Sequence, residues 1–482
     1  MSNPLIIQGG MGVGVSHWPL ARAVSRLGQL GVVSGTALDL VLARRLQGGD
    51  PGGHFRRALE QFPLPGVARR ILETYFVPDG KPSNKPFKAV PMGSTRPPKS
   101  LVELTVAANF VEVFLAKEGH RGLVGINFLH KVQLPTLPSL YGALLAGVDY
   151  VLMGAGIPLA IPGALDQLAR GETARLRLEV EGALPADEFH SEFDPRDFWV
   201  TQPPALVRPR FLAIIASAVL ALTLARKASG RVDGFVVEGP TAGGHNAPPR
   251  GSLQFNERGE PTYGPRDVPD LEKIRALGLP FWLAGSEATP QRLAEARRQG
   301  AAGVQVGTAF AFCEESGIEP GLKARVLAAS QGGMLDVFTD PLASPTGYPF
   351  KVVRLEHTVS EPVVVGARRR ICDLGYLRRL YRKPDGQLGY RCPGEPEEQF
   401  LAKGGDPAEA NGRKCICNGL AATVGLGQIQ AHGYHEPALV TAGEDVRGLA
   451  RFLPAGRDSY SAADVLKFLL SGEIDSVPPR MT

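Results

Sequence analysis

Short apolar runs recur along the chain, each ending in a glycine or polar turn and followed by a stretch whose apolar positions repeat at helical spacing. They fall at 5–7, 31–33, 123–128, 150–153, 211–215, 234–237, 280–284 and 303–306. The runs lack the apolar–polar alternation of a half-exposed strand, so they read as strands buried on both faces, as in a parallel sheet covered by helices. Eight such units predict an α/β fold, a closed (β/α)8 TIM barrel. An open doubly wound sheet is the alternative. It would start with a phosphate fingerprint and an acidic residue about 20 positions on, and the chain shows no convincing instance of either.

Between the runs, Ser16 is placed to cap a helix through Arg26, Thr289 and Pro290 form an N-cap and N1 pair for a helix ending near Gly300, and Val268-Pro-Asp-Leu-Glu opens another. Two insertions interrupt the rhythm, one near 50–99, rich in proline and glycine, and one near 163–209. In a barrel, long insertions after strands build the active-site face. The rhythm stops near 340. The expected organisation is therefore a barrel over 1–340 and an extension over 341–482, ending in an amphipathic helix at "AADVLKFLLSGEI".

Composition narrows the class. Of the 482 residues, 44% are hydrophobic and 21% charged, ordinary for a globular protein with a sizeable core. A net charge of +5 is a weak bias toward anionic ligands, and no basic block interleaved with aromatics points to nucleic acid. The longest apolar run, 211–225, is too short to span a bilayer as a helix, so no membrane role is expected. "MSNPLIIQGG" has no basic segment ahead of its apolar residues and does not read as a signal peptide. With five cysteines, an odd number, the expectation is a reducing cytosol and no disulfide framework.

Candidate chemistry gathers at the strand ends. "FWLAGSEATP" and "GVQVGTAF" close the seventh and eighth runs with Gly285 and Ser286, and with Gly307 and Thr308. Loops after the last two strands of a barrel commonly bind phosphate through backbone N–H groups, so a phosphorylated cofactor is expected there. After the first run come Gly9, Gly10 and Met11, bare backbone suited to a flat ring. Asn127 presents an amide at the mouth of the third strand, fitted to the donor and acceptor edges of a heterocycle. Gly154 clears space after the fourth. Glu238 ends the sixth, followed by "GPTAGGH", in which Gly243 and Gly244 let backbone approach a ligand beside His245.

The ordered set "IIQGGMGVGVS", "GINF", "GVDYVLMGAGIP", "VVEGPTAGGH", "LAGSEATP" and "GAAGVQVGTAFAFCEES" resembles the nitronate monooxygenase family, formerly called 2-nitropropane dioxygenases. It also resembles the related FMN-dependent enoyl-acyl-carrier-protein reductases. The resemblance implies FMN, with its phosphate at Gly285, Ser286, Gly307 and Thr308 and its ring near Gly10, Met11 and Asn127. His245 matches the family's active-site histidine. The chain departs from many nitronate enzymes at the fifth strand, where "LAIIASAV" carries no basic side chain. The leading expectation is oxidation of a small nitronate with O2. The alternatives are reduction of an enoyl thioester or other activated alkene, with NAD(P)H or an acyl carrier as partner, and a flavin-binding subunit of a larger synthase. A homo-oligomer is compatible with any of them.

Four cysteines, Cys372, Cys392, Cys415 and Cys417, lie together in the extension, while Cys313 stands apart in the barrel. Four thiolates converging from a loop-rich segment suit a [4Fe–4S] cluster, with zinc as second choice, although the spacing matches no standard signature. Four reduced, partly buried thiols are the bland alternative.

Overall fold

A computed structural model describes residues 3–474. Eight parallel strands form its centre: β1 (Ile6–Gln8), β2 (Gly31–Ser34), β3 (Val124–Leu129), β4 (Tyr150–Gly154), β5 (Arg210–Ile215), β6 (Gly234–Glu238), β7 (Phe281–Ala284) and β8 (Gly303–Val306). Their order around the sheet is β1-β8-β7-β6-β5-β4-β3-β2. A parallel bridge between Ile7 and Leu30 closes the ring, with Gln8 N–H donating to the Leu30 carbonyl at 2.9 Å. At this seam a buried side chain extends the backbone pairing: Gln8 Oε1 accepts from Val32 N–H at 2.9 Å. The closed (β/α)8 barrel expected from the apolar runs is therefore the fold.

Neighbouring residues on each strand serve opposite faces. Ile7, Val32, Leu152, Leu212, Val236 and Trp282 fill the barrel interior, whereas Ile6, Val33, Val151, Phe211, Phe235 and Phe281 pack outward against the helices. Trp282 is fully buried and donates from Nε1 to the Pro4 carbonyl at 2.8 Å, satisfying its one polar group.

Two helix starts differ from expectation. Ser16 does not cap the helix Trp18–Arg26, whose N-cap is His17 with no side-chain bond. Its hydroxyl turns instead to the β1 loop, donating to the Gly9 carbonyl and accepting from Met11 N–H. The helix expected from Val268 begins at Leu271, where Asp270 accepts from Lys273 N–H. Thr289 does cap Pro290–Arg298, accepting from Arg292 N–H at 3.2 Å.

The insertion after β2 carries helices Pro65–Tyr75 and Lys99–Lys117; the later one carries the antiparallel pair Ala174–Arg177 and His190–Phe193. Beyond β8 the chain does not leave the barrel. Arg45 donates to the Val424 carbonyl, and Thr308 Oγ1 accepts from Gly443 N–H at 2.9 Å. The strand Arg379–Arg382 pairs with Val180–Glu181 of the second insertion. Extension and insertion thus share one small sheet at the mouth of the barrel. The helix Ala462–Ile474 packs against Pro290–Arg298; the tail residues 475–482 lie outside the described residues.

Candidate functional site

One cavity lies at the carboxyl ends of the barrel strands, and its wall includes every residue singled out at the strand ends: Gly9, Gly10, Met11, Asn127, Gly154, Glu238, Gly243, Gly244, His245, Gly285, Ser286, Gly307 and Thr308. The β1 loop is pinned by Ser16, so Gly9 to Met11 hold one course. Gly10 is a glycine for a reason the sequence does not display: a Cβ there would stand 2.4 Å from Cβ of Asn127. The missing side chain lets Asn127 seat against the loop. Two amide oxygens on this wall, Oδ1 of Asn127 and Oε1 of Gln305, are buried without a hydrogen-bond partner. Such oxygens are costly unless a ligand donor meets them.

His245 is held from outside the barrel. Its Nε2 bonds Ser344 Oγ at 2.7 Å, Ser344 in turn meets Thr346 Oγ1 at 2.8 Å, and the edge of the Phe350 ring packs on the imidazole with centroids 4.8 Å apart. Nδ1 has no partner among the described residues and is the nitrogen free for a ligand. Desolvation, with the nearby Lys131 charge adding to it, takes the imidazole down to about 3, so it is neutral at neutral pH. A free imidazole changes charge near pH 6.5; enclosure removes that property from His245.

The groups that do titrate near neutrality are others. Glu238 closes β6 on the cavity wall with no hydrogen bond or ion pair to its carboxyl among the described residues, and desolvation raises it to about 7. Lys131, in the turn after β3, lies over the Tyr348 ring with Nζ 2.9 Å from its centroid, and desolvation lowers it to about 7. An amine that is partly protonated near neutrality therefore acts electrostatically on His245 from the turn after β3, although Ile214 and its neighbours on β5 supply none.

At the opposite end, Ser286 adopts the left-handed region at φ 57°, turning the backbone after β7. Thr308 is engaged differently from expectation: besides accepting from Gly443 N–H, its hydroxyl donates to the Asp445 carboxylate. Its side chain is thus committed to the extension and not to the cavity. Gly243 is likewise packed under the extension, where a Cβ would lie 2.7 Å from the Ala442 carbonyl carbon. Tyr376, Cys417, Thr441, Ala442 and Asp445 complete the wall. Nothing in the apolar rhythm marks these residues, because they come from the extension, distant in sequence and, apart from Cys417 in the helix Ile416–Thr423, irregular in backbone.

The four extension cysteines surround a second, small cavity, and Cys417 lines both. All are free thiols. Among the described residues no three His, Cys, Asp or Glu side chains are grouped to hold a single metal ion. No helix among them is long and apolar enough to cross a membrane.

A closed parallel barrel with a glycine-lined cavity at its strand ends, two orphaned amide oxygens and an enclosed histidine defines the class, a (β/α)8 barrel with a ligand cavity at the carboxyl ends of its strands. Residues 208–339, which contain β5 to β8, match the nitronate monooxygenase family model, in agreement with the motif resemblance. Over 174 residues the chain is 30% identical to the Mycobacterium tuberculosis enzyme (3aS,4S,5R,7aS)-5-hydroxy-7a-methyl-1-oxo-octahydro-1H-indene-4-carboxyl-CoA dehydrogenase, covering 35% of this chain. The aligned part spans 44% of that relative's length. Among solved structures, FabK from Thermotoga maritima is similar with a TM-score of 0.49 at 15% identity, covering 98% of this chain and 94% of that one. Nitroalkane oxidase from Streptomyces ansochromogenes scores 0.43 at 17% identity, covering 98% of each.

Proposed function

We propose that the protein is an FMN-dependent oxidase of small nitronates, using O2 as the final acceptor. The observation that carries this reading is a neutral His245 on the wall of a largely apolar cavity, with the amine of Lys131 near enough outside that wall to act on it electrostatically. An anionic, delocalised substrate needs a hydrogen-bond donor and a positive field that do not compete with it for a proton. His245 Nδ1 is free to give the bond, Lys131 supplies the field that β5 does not, and Ser344 fixes the ring.

Asn127 and Gln305 suit the ring edge of the flavin, since both present unpaired oxygens to the cavity. The backbone at Gly285, Ser286 and Gly307 suits its phosphate. FMN, when bound, accepts the electrons and passes them to oxygen. Glu238, half-protonated near pH 7, holds or releases a proton beside it. The same carboxylic acid supports the second reading, reduction of an enoyl thioester, because a neutral acid on the wall can protonate the carbon next to a carbonyl. The mycobacterial relative, a dehydrogenase, is named for a carboxyl-CoA, which is also a thioester.

Anaerobic titration separates the two. Loss of the oxidised flavin absorbance on adding ethyl nitronate, with no response to NADH or NADPH, is expected. Bleaching by NADPH and reoxidation by crotonyl thioester, with nitronate inert, would replace this reading with the second.

A further inference from the structure

A side cavity adjoins the cavity at the strand ends. Three segments enclose it: the start of the helix Lys99–Lys117 with the loop before it, the turn after β3, and the extension just ahead of the strand Arg379–Arg382. Val132 and Tyr376 belong to the walls of both cavities, so the two are neighbours across these side chains. Tyr376 is held at the junction: its hydroxyl donates to Asp39 Oδ1 at 2.8 Å, and Asp39 is a buried residue that lines the side cavity and not the strand-end one.

The two walls differ in what they leave unmet. The strand-end cavity presents the orphaned oxygens of Asn127 and Gln305, whereas no buried side-chain polar atom of the side cavity lacks a partner among the described residues. Arg378 donates from Nε to the Gly375 carbonyl at 3.2 Å and from Nη2 to the Gly93 carbonyl at 2.6 Å. Gln133 donates to the Glu179 carbonyl and accepts from its N–H, Thr105 donates to the Leu101 carbonyl, and Lys131 lays its amine on the Tyr348 ring. With these groups engaged, the surface left for a ligand is that of Pro97, Leu101, Val102, Leu134, Pro138 and Leu374. Such a surface has little with which to orient a polar head, but it gains from any hydrocarbon it removes from water.

From this division we infer that the side cavity receives the unbranched hydrocarbon tail of a substrate whose head reacts in the strand-end cavity, which makes the substrate class straight-chain alkyl nitronates. The identity of the head rests on the proposed nitronate reading; the tail site rests on the side cavity alone. Tyr376 and Val132, at the junction, then set the course of the chain from one cavity to the other.

The test is isothermal titration calorimetry of the purified holoprotein with butanoate, hexanoate and octanoate. A carboxylate is a flat, delocalised anion like a nitronate, and it is redox-inert. In the wild type, Kd is expected to fall about two- to fourfold for each added methylene. Leu134→Trp and, as a second variant, Val102→Phe place bulk in the side cavity without touching the strand-end wall. Each should abolish the advantage of octanoate over butanoate and leave the Kd of butanoate unchanged. A Kd independent of chain length in the wild type, no binding by any of the three acids, or a length dependence that survives in both variants would overturn the tail site. The wild-type series is decisive even where a variant fails to fold. Turnover of ethyl nitronate tests the head separately: an inert ethyl nitronate beside a length-dependent series overturns the oxidase reading and keeps the tail site, and turnover beside a flat series does the reverse.

Discussion

His245 illustrates how far a residue can be read before its surroundings are known. The Gly-Gly-His motif and the strand before it locate the imidazole at the cavity; its charge state is set by Ser344, Phe350 and Lys131, none of which the motif contains. His245→Asn is expected to lower turnover by about 10²–10⁴-fold while FMN remains bound, measured by steady-state kinetics beside cofactor content. Loss of FMN with the activity would instead make the residue part of cofactor binding. Glu238 carries a pH signature whose sign is fixed by desolvation. Its folded pKa, about 7, lies above the ordinary 4.5, so its contribution to stability is complete below 4.5 and lost as pH rises through 7. Glu112, buried and raised to about 7 in the same way, adds to that loss. His245 and His17, lowered from 6.5 to about 3, act in the opposite sense and cost stability as pH falls below 6.5. Glu238→Gln should therefore gain thermal stability relative to wild type at mildly alkaline pH and gain nothing below 4.5. A Tm series across this range, showing equal gains at both ends, would contradict the assignment.

The elements were legible wherever burial on both faces wrote a continuous apolar run, and all eight barrel strands fall on such runs. Their order needed no further signal, since parallel strands joined by helices follow one another round the ring. Illegible were the contacts in which a polar side chain substitutes for backbone. Ser16 looks like a cap because hydroxyls often are, but in the fold it anchors Gly9 and Met11. Gln8 reads as the end of a strand and proves to be the link across the β1–β2 seam. Gln8→Leu fills the same space yet leaves Val32 N–H unpaired inside the barrel, where an unmet donor costs about 1–3 kcal/mol. Urea denaturation should show a loss of that size. An unchanged midpoint would mean that the seam is held by the Ile7–Leu30 bridge alone.

For the molecule as a whole, the sequence divides into a barrel and an extension, and the cavity depends on both. Removing everything after residue 340 deletes Ser344, Tyr376, Thr441, Ala442 and Asp445 from the wall or its support, so the truncated chain is expected not to retain FMN, as judged by flavin absorbance after gel filtration. Retention at wild-type level would show that the barrel alone makes the site. The extension's role was hidden because its contacts, such as Gly443 on Thr308, join positions 135 residues apart in irregular backbone. That separation has a consequence in time. A chain emerges from the ribosome amino end first, at about 5–20 residues per second, so the eight strands are available to pair well before 441–445 appear. The nascent barrel therefore passes through an interval of several seconds with its cavity open and His245 unsupported, and any ligand that needs the complete wall can bind only after synthesis of the extension.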